Sequence, residues 1–80
     1  MEKLLDVISV TPRENYILEL VFDNGEKRNF DMKPLFNQKP FVKLRDSLLF
    51  FKASVRYGTV VWPGNIDIAP ETLWVRSVPA

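Results

Sequence analysis

The chain has 80 residues, 46% of them hydrophobic, and its 11 basic and 10 acidic side chains leave a net charge of +1. That length supports one domain, residues 1–80, which buries only roughly 60–65% of its unfolded surface, so six Phe, two Tyr and two Trp must supply a dense core. The composition argues against disorder and against a one-signed field for nucleic acid or anionic lipid, and the absence of Cys rules out disulfides and thiolate metal sites, fitting a reducing cytoplasm.

Acids at Glu2 and Asp6 interrupt the N-terminal apolar residues, so neither a signal peptide nor a membrane span is expected. Leu4 to Thr11 is rich in β-branched residues and reads as a first strand, with Ile8 and Val10 on one face, Ser9 and Thr11 on the other, and Pro12 as its end. After a turn at Arg13-Glu14-Asn15, the residues Tyr16, Leu18, Leu20 and Phe22 recur every second position, the period of a half-buried strand. Asp23-Asn24-Gly25 tolerates the positive φ of a tight hairpin, so Glu26 to Phe30 returns as the antiparallel partner with Phe30 inward. Asp31 is placed to accept backbone N–H groups at a helical turn reaching Phe36.

Pro40 suits a helix start, and Phe41, Leu44 and Leu48 make an apolar stripe at helical spacing beside Lys43 and Asp46, which predicts one short helix. Phe51, Ala53, Val55 and Tyr57 alternate with Lys52, Ser54 and Arg56 as a strand closed by Gly58, and Thr59 to Trp62 returns beside it. Pro63-Gly64-Asn65 breaks that strand, Ile66-Asp67-Ile68 is a brief extended piece, and Pro70 opens a final helical turn carrying Leu73 and Trp74. Every Pro and Gly is expected between elements. The fold expected is α+β, a mainly antiparallel sheet of about five strands with one short central helix and a short C-terminal helix.

Val61, Trp62, Pro63, Ile66, Asp67, Ile68, Pro70, Glu71 and Leu73 resemble the C-terminal signature of the bacterial domain-of-unknown-function 2442 family. Tyr16, Leu18, Leu20, Phe22, Asn24, Gly25, Phe30, Asp31 and Leu35 resemble its N-terminal half, and Phe41, Leu44 and Asp46 match the link between them. The resemblance spans nearly the whole chain and implies a small α+β domain with no assigned activity. Some relatives are joined to a helix-turn-helix domain and others are encoded beside a small protein suspected of being a toxin, and both contexts imply a partner-binding role. This chain carries no helix-turn-helix segment, and it has Gly64-Asn65 where relatives often show the reverse order.

Without His or Cys, the commonest general base, metal ligand and nucleophile pairs are missing. Asp67, flanked by Ile66 and Ile68, is the carboxylate whose burial would suit proton transfer in a small hydrolase or isomerase; its place before Ala69-Pro70-Glu71 better fits an acceptor for backbone N–H groups. Asp23-Asn24-Gly25-Glu26 lacks a calcium-loop pattern, and the three Gly residues form no phosphate-cradling loop. Lys52 and Arg56, on a strand face with Phe50, are the candidate nucleic-acid face, although the balanced charge disfavours that partner. Trp62 follows Val60 and Val61 in a strand apolar on both faces. It either completes the core against Trp74 or leaves a patch for a partner, which makes Val61, Trp62, Asp67, Leu73 and Trp74 candidate partner-binding residues. A free edge strand offers a second route to a complex. The expectation is a non-catalytic protein-interaction module without cofactor or metal. Its partner is another protein chain, a small toxin or a second copy, and the chain itself is the antitoxin-like member of a pair.

Overall fold

The computed structural model describes residues 5–80, which fold as a small α+β domain built on two antiparallel sheets. The first sheet has strand order β1-β2-β3-β7, from β1 (Val7–Arg13), β2 (Ile17–Phe22), β3 (Lys27–Asp31) and β7 (Val78–Pro79). The second has order β4-β5-β6, from β4 (Ser54–Arg56), β5 (Thr59–Trp62) and β6 (Ile66–Ile68). Two short helices, α1 (Ser47–Phe50) and α2 (Pro70–Arg76), and 3-10 turns at Glu14–Tyr16, Lys33–Leu35 and Phe41–Arg45 complete the chain. The expected single sheet is thus divided in two. No helix among the described residues is long and apolar enough to cross a membrane.

The strict alternation of β2 does what its period dictates: Leu18, Leu20 and Phe22 are buried while Ile17, Glu19 and Val21 are half-buried on the other face. Phe30 from β3 joins them, opposite Leu18. The hairpin turn forms as expected, with Asn24 Oδ1 accepting the Glu26 N–H at 3.0 Å, and Asp31 Oδ1 accepts the Lys33 N–H at 2.9 Å to open the turn that follows.

β1 departs from its expected pattern in two ways. Pro12 does not end the strand but lies inside it, opposite Leu18, because β1 is an edge strand and a missing N–H there costs no ladder bond. Ile8 is not paired with Val10 on one face: the register passes from Val7↔Phe22 to Ser9↔Val21, so Ile8 is an extra residue that bulges outward into solvent. The bulge reverses the alternation and lets Val7 and Val10, an odd and an even position, both face the core. Leu4, expected at the head of this strand, lies outside the described residues.

The predicted helix from Pro40 is interrupted. Asp46 adopts an extended backbone and its carboxylate accepts the Leu48 N–H at 3.0 Å, which ends the 3-10 turn and starts α1. The restart rotates the apolar stripe, so Leu44 and Phe50 are buried and Leu48 is 78% exposed. The strand expected over Phe51–Tyr57 shrinks to Ser54–Arg56; Phe51 and Lys52 belong to the turn after α1, and Tyr57 to the next hairpin turn. α2 forms where Pro70 indicated and buries Leu73, and β7, which the sequence does not announce, closes the first sheet against Arg28 and Asn29.

One core gathers the inner faces of both sheets, with Met32, Leu35, Phe36, Leu44, Phe50 and Leu73 filling between them. Tyr16 sits edge-on to Phe36 and Phe50, at ring-centre distances of 4.8 and 5.2 Å.

Leu73→Ala, at a site with no exposure, should cost about 2–5 kcal/mol in chemical denaturation, whereas Leu48→Ala should change stability by less than about 0.5 kcal/mol. Equal losses would restore the uninterrupted helical stripe. Asp46→Ala should remove the α1 cap at a cost of about 1 kcal/mol, lowering the melting temperature by about 4–8 °C.

Candidate functional site

The site lies on the outer face of the second sheet. In β5, Val60 and Trp62 point to the core, so the period of two turns Thr59 and Val61 outward. Register carries that face to the neighbouring strands: Val61 pairs with Ser54 on one side and with Asp67 on the other, and Arg56 pairs with Thr59. The result is a groove of 480 Å³ lined by Lys52, Ser54, Arg56, Tyr57, Val61 and Asp67 and by the 62–66 turn segment. That volume falls within the range of about 300–1,000 Å³ usual for ligand sites.

Four of the seven candidate residues, Lys52, Arg56, Val61 and Asp67, converge on this groove from separate segments, and the buried Trp62 borders it. The two cations stand on the β4 side and the carboxylate on the β6 side, with Val61 between them. Lys52, Arg56 and Asp67 are exposed, and none of their side chains has a hydrogen-bond or ion-pair partner among the described residues. Their charges are therefore not engaged in holding the fold.

Two turns shape the rim. Tyr57 and Gly58 form a two-residue hairpin with φ of 55° and 73°, the left-handed pair that a type I′ turn requires. Holding a bulky residue there costs of order 1 kcal/mol or more and leaves Tyr57 93% exposed beside the groove. Gly58 has a second constraint, since a Cβ would lie 2.5 Å from the Asp6 carboxylate. At the other end Gly64 and Asn65 both have positive φ, 91° and 61°, so both positions suit Gly or Asn and the order of the two residues can be exchanged.

Several expectations fail here. Asp67 caps nothing: it sits in mid-strand pointing outward while Ile66 and Ile68 point inward, and Ala69 precedes α2 without a side-chain cap. The burial on which a proton-transfer role rested is likewise missing, because the two Ile side chains lie on the opposite face from the carboxylate. Phe50 is fully buried rather than exposed beside Lys52 and Arg56, so the basic pair has no stacking partner from that residue. Trp62 is 3% exposed and donates its indole N–H to the Phe50 carbonyl at 3.0 Å, and Leu73 has no exposure, so both serve the core.

Trp74 packs edge-on against Phe22 with ring centres 5.0 Å apart, and Arg28 lies 4.4 Å above its ring. Each Trp thus completes a different part of the core. Arg28 also donates to the Ser77 hydroxyl at 2.6 Å and to the Ser77 carbonyl at 2.8 Å, clamping the end of α2 to β3. Sequence reasoning overlooked Ser54, Tyr57 and Asn65 as groove residues; the Tyr57-Gly58 pair between two alternating runs was the available signal for the turn.

A smaller hollow of 250 Å³, between the Leu35–Phe41 segment and α2, shares Asp67 with the groove. No group of three or more acidic side chains able to hold a metal ion occurs among the described residues.

No curated protein and no solved structure matches the chain. A family model described as "Protein of unknown function (DUF2442)" matches residues 7–79, from the first residue of β1 to the last of β7. The match takes in both sheets and every groove residue, and the chain belongs to the DUF2442 family.

Proposed function

We propose that this chain is a non-catalytic protein-interaction module whose docking surface is the outer face of the β4–β5–β6 sheet. The observation that carries the reading is the convergence of Lys52, Arg56 and Asp67 around Val61, three charged groups that the fold does not use and an apolar centre between them. Charged groups set orientation and partner choice in an interface, while a small apolar centre excludes water.

The sheet edges are weaker candidates. β1 is interrupted by its bulge and by Pro12, β7 has two residues of which one is Pro79, and β4 and β6 have three residues each. Short, bulged or proline-bearing edges are the devices by which proteins avoid strand addition. Docking through a sheet face is the mode these features leave open. Within a two-protein pair, the role that family contexts support is that of the antitoxin-like member, acting in the cytoplasm on a small protein partner.

The tagged chain should recover a stoichiometric protein from its host lysate, with or without nuclease. Arg56→Glu and Val61→Lys should each abolish that recovery while leaving stability within about 0.5 kcal/mol, because both positions lie outside the core. Recovery unaffected by either variant would refute this face as the docking surface, and a partner lost on nuclease treatment would identify nucleic acid as the ligand.

A further inference from the structure

We propose that this face is self-complementary and that its occupant is a second copy of the chain, related by a two-fold axis running along β5. The inference rests on the reading of the groove as an interaction surface and names its occupant when the small protein partner is absent.

The argument is one of charge position. Asp67 and Ser54 lie level with each other on either side of Val61, because both pair with it. Arg56 stands two residues beyond Ser54 on the same face, and Lys52, two residues before it, lines the same groove. One side of the face thus reads cation, hydroxyl, cation, and the other presents a single carboxylate level with the hydroxyl.

Rotation by 180° about an axis parallel to β5 and above Val61 exchanges the two sides. Asp67 of one copy then comes to rest over Ser54 of the other, between its Lys52 and Arg56, and symmetry makes the contact twice. Val61 meets its own counterpart at the centre. Sheets packed face to face stand about 10 Å apart, a gap that Lys and Arg stems fill and in which their heads meet a carboxylate.

The charges also choose between axes. A two-fold running across the strands would set Asp67 against Asp67 and Arg56 against Lys52, juxtaposing like charges at every charged position. Of these two axes, the one along β5 brings opposite signs together. With strands of three or four residues, the face offers less than the roughly 800 Å² per partner of a standard interface, so the dimer is a weak one that forms with rising concentration.

Sedimentation velocity across a concentration series tests this. The wild-type chain should move from 9.3 kDa toward twice that mass as concentration rises, and less readily at high salt. Asp67→Lys alone and the Lys52→Glu/Arg56→Glu double variant should each stay monomeric, with association weakened at least about tenfold. Mixed in equal amounts, the two variants should associate again. In the mixed pair one contact is native and the other has both signs exchanged, and the assembly should stop at a dimer, as a closed two-fold requires.

A wild-type chain that stays monomeric throughout would overturn the inference, as would a dimer that survives either set of substitutions or variants that fail to complement. If the chain is monomeric yet lysate recovery of a partner is still lost with Arg56→Glu, the docking face stands and only its assignment to a second copy falls.

Discussion

The direction in which Trp62 points governs what this domain presents to its surroundings. A buried indole requires a partner for its N–H, and Trp62 finds it in the Phe50 carbonyl at the end of α1. That bond commits one face of β5 to the core, and the period of two then commits Thr59 and Val61 to the other. A slip of one residue would bring Val61 inward and expose the indole, at the cost of the bond and of the buried ring. The arrangement of Ser54, Arg56 and Asp67 follows from β5, since β4 and β6 take their facing from it by register.

The rest of the fold serves to make one core from two small sheets. The first sheet reaches the second through β1, where the Ile8 bulge allows residues of opposite parity to face inward. At the far end Arg28 bonds to Ser77 and covers Trp74, so that a charged side chain closes the core where α2 ends and β7 begins. In a domain of this size such fixings matter, because the buried area alone leaves a narrow margin of stability.

Much of this was legible in the sequence wherever a local rule and the tertiary structure agree. Leu18, Leu20 and Phe22 fix the facing of β2, Asn24-Gly25 the hairpin, Asp31 the turn after β3, and Pro70 the start of α2. Legibility ended where two local rules compete. Leu44 and Leu48 have helical spacing, but the Asp46 carboxylate offers the backbone an alternative partner and wins. Ile8 alternates correctly with Val10, and nothing local reveals that an extra residue relative to β2 will turn it outward. For the site, Lys52, Arg56, Val61 and Asp67 could each be singled out by residue type, yet their meeting depends on the pairing of β4, β5 and β6. Trp62 and Leu73 were apolar residues whose direction the sequence does not state. Asp67 resembled a cap because it precedes a helix by three positions, whereas β6 continues through it and leaves its side chain on the strand's outer face.

The rim turn of the groove has a consequence inside the other sheet. Gly58 lies against Asp6, and its carbonyl accepts the Val7 N–H at 2.8 Å, while the Asp6 carbonyl accepts the Asp23 N–H at the same distance. The hairpin that carries Tyr57 is thus bonded to the beginning of β1, and that beginning to the β2–β3 turn. The Val7 amide proton belongs to one sheet but is sheltered by a turn of the other, so its exchange with solvent deuterium follows the opening of the groove's rim and gives an internal gauge of that rim from a residue well inside the core.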